Sequence, residues 1–184
     1  MAAMSTTPSL ARAPRRSGWK SVSLIALFAP GVLFVIGLAL VRDQPRFEWL
    51  GDIGRFPWEI WVIAVTGGVA TASGVLDWRF HRSGQTVIGQ PEHRSELAAL
   101  ASGGVPLFVL MSAASVSTRP ALWLVPILVV VLHTTVLICF DEFVYHRRRC
   151  GRYETALHRL LVFGNGTAWL AWMHWCFVRG ASNG

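Results

Sequence analysis

Cysteine is scarce and unpatterned: Cys139, Cys150 and Cys176 are the only three in 184 residues, and no two form a CxxC pair. A disulfide framework is therefore excluded, and the thiols read as small apolar packing residues. There is no low-complexity tract and no short-period repeat. No cleaved leader is expected, because the first apolar run is longer than a signal-peptide core and no small-x-small site follows it. The basic run RRRCGR (147–152) lacks the glycine-rich spacing of a phosphate loop and reads as a topology determinant. Acid is also in short supply. Ten Asp and Glu stand against seventeen Lys and Arg, a formal net charge of +7.

What the chain has instead is apolar surface: 53% hydrophobic residues, nine tryptophans and a mean hydropathy of +0.45. That composition indicates a polytopic membrane protein. The runs Ser21–Val41, Ile60–Leu76, Leu97–Thr118, Ala121–Phe140 and Leu160–Val178 are candidates to cross a hydrocarbon core roughly 30 Å thick. The second is the shortest and reaches spanning length with Trp58, Glu59, Trp78 and Phe80 as interfacial ends. With the N-terminus inside, only Arg42, Arg46, Arg55, Arg119 and Arg179 of the seventeen Lys and Arg fall outside. The positive-inside rule then gives an all-α, polytopic membrane helical bundle of five transmembrane helices, N-in and C-out. Residues 1–18 read as a disordered cytoplasmic tail and 19–184 as a single transmembrane helical domain. The basic balance is thus topological. It implies no nucleic-acid partner, only contact with membrane lipid.

The loop 42–59 mixes charge with aromatic residues and is expected along the outer interface. Thr118–Arg119–Pro120 predicts a tight hairpin between spans three and four. The small-residue stretches TGGVATASG (66–74) and ASGG (101–104) predict close helix contacts, and Pro30, Pro106 and Pro126 are candidate kink sites.

Two inner segments share a design: DWRFHRSGQTVIGQPEHRSE (77–96) and DEFVYHRRRCGRYETALH (141–158). Asp77 and His81 are four apart, as are Glu92 and Glu96, Glu142 and His146, and Glu154 and His158. Such pairs share a helix face, so four helix ends each present metal-capable side chains. Glu92 competes with His93, and Asp141 with Glu142, since neighbours diverge by about 100°. His133 lies two turns above Asp141 and is a further ligand, proton relay or substrate contact. Every acid outside these segments (Asp43, Glu48, Asp52, Glu59) falls in the outer loop. The plainer readings are interfacial ion pairs with the arginines and histidines hydrogen-bonded to headgroups. His174, among Trp169, Trp172 and Trp175, reads as part of an aromatic belt, and Asn165 as a polar packing point.

The paired arrangement resembles the ferritin-like di-iron carboxylate bundles, in which carboxylates and histidines from four helices surround two metals. Here the spacing is four rather than three, and the H-x-x-H-H clusters of membrane fatty-acid desaturases and hydroxylases are missing. In letters, D-W-x-x-H (Asp77, Trp78, His81) with Glu92 and Glu96, and H-x7-D-x3-Y-H (His133, Asp141, Tyr145, His146) with Glu154 and His158, resemble poorly characterised bacterial multipass membrane proteins. That likeness supports the view that the pattern is one unit, and the expected location is the bacterial inner membrane. The expected metal ligands are Asp77, His81, Glu92, Glu96, His133, Asp141, Glu142, His146, Glu154 and His158, holding two iron ions, with manganese or zinc as alternatives. The expected chemistry is oxidation, hydroxylation or desaturation of a lipophilic small-molecule substrate, supplied by an electron-donor protein, and homo-oligomers are compatible with it. The rivals are a haem-binding electron-transfer membrane protein and a non-catalytic accessory or transport subunit moving protons or metal ions.

Overall fold

A computed structural model of the chain describes residues 19–82, 100–141 and 151–179. These residues are all-helical. α1 spans Trp19–Val41, α2 Trp58–Arg82, α3 Val105–Val116, α4 Leu124–Asp141 and α5 Arg152–Met173. Two of them are long and apolar enough to cross a membrane: the stretch Trp58–Phe80 along α2 and Pro120–Phe140 along α4. A third follows if Leu27–Val41 and the segment Pro45–Gly51, bent from it by 107°, count as one span. This is fewer than the five read from the sequence. α3 is only 12 residues long, and α5 carries Arg152, Glu154, Arg159 and Asn165, which lower its hydropathy.

Local chemistry explains the breaks. Pro106, at the start of α3, has no N–H to offer the Ser102 carbonyl four residues back, and a wide π turn at Leu100–Gly104 precedes it. The α3–α4 connection is the tight hairpin expected, with Arg119 N–H donating to Ser117 Oγ at 3.1 Å before the 3-10 turn Pro120–Trp123. α5 opens where Thr155 donates to the Gly151 carbonyl through both its N–H and its hydroxyl, each at 3.0 Å. It closes in a π turn, His174–Arg179.

The buried core lies at the end of the bundle where α2 begins and α5 finishes. Phe47, Ala114, Ile127, Trp172, Trp175 and Cys176 form it. The loop after α1 folds into 3-10 turns at Pro45–Gly51 and Ile53–Arg55 and drives Phe47 into this core. Its ring lies 5.6 Å from that of Trp175. Arg46 locks the loop down: it donates to the Cys176 and Ser117 carbonyls at 2.9 and 3.3 Å and lies 5.1 Å above the Trp175 ring. Trp172 Nε1 donates to Ser115 Oγ at 3.0 Å, tying α5 to α3.

α2 and α5 make the most extensive helix contact in the bundle. Glycine permits it. A Cβ on Gly164 would lie 2.8 Å from the Thr66 carbonyl oxygen and 3.0 Å from Ala70 Cβ. Gly74 similarly receives Leu27 and Leu161, and Gly103 receives Thr134, so the small-residue stretches do mark close approaches. Gly67 and Gly68, in the same stretch, face open space. α4 is the opposite case: Val125, Leu128, Val129, Leu132 and Val136 are all exposed, leaving most of its circumference apolar and uncovered by the described residues.

Candidate metal centre

At the far end of the α2–α5 pair, Asp77, Glu154 and His158 converge. Glu154 and His158 are one turn apart on α5, hence on one face, and Asp77 is near the end of α2, which packs against that face. One donor atom from each lies within 4.8 Å of the others. His158 Nε2 and Asp77 Oδ1 are 3.4 Å apart. That is the separation of two donors placed about 2.1 Å from one ion at tetrahedral angles, roughly 3.4 Å. Glu154 is buried at 2% exposure, while the Asp77 and His158 side chains keep 24% and 20%. Glu154 is thus enclosed by protein, and Asp77 and His158 are partly exposed. Phe80 and Tyr153, with ring centroids 5.7 Å apart, close the α2–α5 contact beside it.

Chemically, the set is two carboxylates and one imidazole. Carboxylates this close repel one another, and a divalent cation between them offsets that repulsion while accepting the imidazole lone pair. Three protein donors leave coordination positions for water or substrate.

The other expected ligands are distributed as follows. His133 stands on α4 with Nε2 3.1 Å from Ser102 Oγ, outside the three-residue cluster. Glu92, Glu96, Glu142 and His146, with His93, lie outside the described residues, as do the side chains of His81 and Asp141. His81 follows Asp77 by one helical turn on α2.

Sequence reasoning did not find Glu59. Assigned to the loop, it is the first-turn acid of α2 and is fully buried. His174, read as part of an aromatic belt, contacts it at 2.7 Å and also lies against Trp58 at 5.2 Å between centroids. The available signal was the position of Glu59 beside Trp58, at the mouth of an otherwise apolar run.

Fold and cluster together define an all-helical protein whose most closely packed helix pair carries a carboxylate–histidine site. No family model, curated protein or solved structure matches the chain, so that site must be read from its own chemistry.

Proposed function

We propose that this chain is an integral membrane metalloprotein. The observation that carries the reading is the convergence of Asp77, Glu154 and His158 from two helices that glycine holds close together. In this reading the bundle is the five-span, N-in and C-out arrangement of a bacterial inner membrane, and the cluster sits at the cytoplasmic ends of α2 and α5. The uncovered apolar faces of α1 and α4 support a lipid environment, since lipid rather than water then surrounds them. His81, Glu92, Glu96, Asp141 or Glu142, and His146 are the residues that would complete the shell, toward two iron ions, manganese or zinc. Bound iron would supply oxygen-dependent oxidation of a lipophilic substrate. The residues in hand hold the ion, and the partly exposed Asp77 and His158 side chains mark the approach route for a ligand. An electron donor and a second copy of the chain are compatible partners.

Elemental analysis of the purified full chain tests this, alongside Asp77→Asn with His158→Ala. Metal retained by the wild type and lost from the variant, with helical circular dichroism unchanged, is the expected result. About two irons per chain would specify the di-iron form, and zinc would indicate hydrolysis instead. Absent metal, or metal equally retained by the variant, would sink the proposal. A Soret band would favour the haem alternative.

A further inference from the structure

The α2–α5 pair carries a second polar group at its opposite end, and the metal reading makes no use of it. Glu59 is fully buried. Its Oε1 accepts from His174 Nδ1 at 2.7 Å and from Arg179 Nε at 2.9 Å, while its Oε2 is buried without a hydrogen-bond partner. A carboxylate only accepts, so Nδ1 is the protonated nitrogen of His174. His174 and Arg179 are five residues apart. That is the spacing of the π turn they bound, so both can reach one carboxylate.

An ion pair whose carboxylate is buried with one acceptor left empty, and whose His174 and Arg179 partners stay partly exposed, stabilises little, and the best-attested use of such a group is to specify register. Register is what this helix pair needs. Between its two polar ends the contact runs through the small residues Thr66, Ala70 and Gly164, with Leu161 seated against Gly74. Such small residues bring backbones together but offer few knobs to resist sliding. Glu59 and Asp77 are five helical turns apart on one face of α2, about 27 Å along its axis. A slide of one turn, about 5.4 Å, would carry Asp77 out of reach of His158, now 3.4 Å away.

We propose that the Glu59–His174–Arg179 clasp fixes the axial register of α2 against α5 and is thereby the positioning group for the Asp77–Glu154–His158 site. The metal half of this inference rests on the reading above.

The test uses the full chain in detergent with Co(II) as the probe, followed by its visible absorption. Glu59→Met with Arg179→Met removes both charges at similar volume. It should keep its helical dichroism and unfolding midpoint, yet bind Co(II) at least about tenfold more weakly, the signature of a positioning rather than a supporting role. His174→Asn keeps a donor near Nδ1 and should bind like the wild type, whereas His174→Ala should not. Spin labels at Arg79→Cys and Leu170→Cys, both on exposed positions, report register without metal. Their distance distribution should shift or broaden by several ångströms, up to about one 5.4 Å turn, in the Met–Met variant. An unchanged distribution, or Co(II) affinity within about twofold of wild type, overturns the inference. A shifted distribution in a protein whose wild type binds no Co(II) upholds the register role and overturns the metal reading alone.

Discussion

Adding one methyl group at Gly164 tests the seam on which the candidate site depends. The new Cβ of Gly164→Ala would sit 2.8 Å from the Thr66 carbonyl oxygen, 3.0 Å from Ala70 Cβ and 3.3 Å from Ala70 N. Two of those neighbours are backbone, which cannot rotate away, so α2 and α5 must separate. Overpacking of this kind costs about 1–3 kcal/mol. Against it stands the higher helix propensity of alanine, about 1 kcal/mol. Gly166, two residues along the same helix, isolates the two effects, because a Cβ there meets nothing within 4 Å. Gly166→Ala should gain the propensity alone. The variants should therefore differ by about 1–3 kcal/mol, or roughly 2–12 °C in melting midpoint for a chain of this size, with Gly164→Ala the less stable. Thermal unfolding in detergent, followed by circular dichroism, measures the gap. If both variants shift together, the α2–α5 contact is looser than described, and the convergence of Asp77 with His158 loses its mechanical basis.

Arg46→Met removes two hydrogen bonds to carbonyls and a cation–π contact, and should destabilise the chain by about 1–3 kcal/mol. Arg46→Lys should fall between it and the wild type in the same melts, and a wild-type midpoint for the Met variant would contradict the role given to this side chain. Topology is open to labelling with a membrane-impermeant maleimide in a background lacking Cys139, Cys150 and Cys176. Ile53→Cys, on the exposed loop after α1, should label in intact cells, and Arg152→Cys only after permeabilisation. The reverse pattern would overturn the N-in reading.

Part of this molecule was legible in its letters because α-helical spacing is regular. Glu154 and His158 at i and i+4 predict a shared face, and the structure brings Asp77 to it. Gly74 and Gly103 were readable as close-contact positions for the same reason, while Gly67 and Gly68 show that a small residue alone does not say which face is packed. What could not be read depends on departures from the 3.6-residue turn. On an α-helix, His174 and Arg179 point about 140° apart, and only the π turn makes them joint partners of Glu59. The burial of Phe47 depends on a 107° change of direction after α1, which no local periodicity encodes. The separation of His133 from the cluster follows from the α3–α4 hairpin, where its partner is Ser102.

Glu59 and Asp77 are separated by about 27 Å of helix, close to the thickness of a bilayer's hydrocarbon core, roughly 30 Å. The α2 segment between them is apolar or small apart from Thr66, Thr71 and Ser73, and Thr66 returns its hydroxyl to the Val62 carbonyl at 2.7 Å. A charged side chain at mid-bilayer is expensive, whereas one at either boundary can draw on water, headgroups or a bound ion. The same helix pair can therefore keep an ion-paired carboxylate at one boundary and a carboxylate–histidine set at the other. At the first end His174 Nδ1 and Arg179 Nε both donate to the buried Glu59 Oε1, which suits holding the helices in place. At the other end two carboxylates and an imidazole converge, all of them possible metal donors, whereas a guanidinium cannot ligate a metal. That difference in donor chemistry is why the metal is proposed at Asp77, Glu154 and His158 rather than at Glu59 and His174.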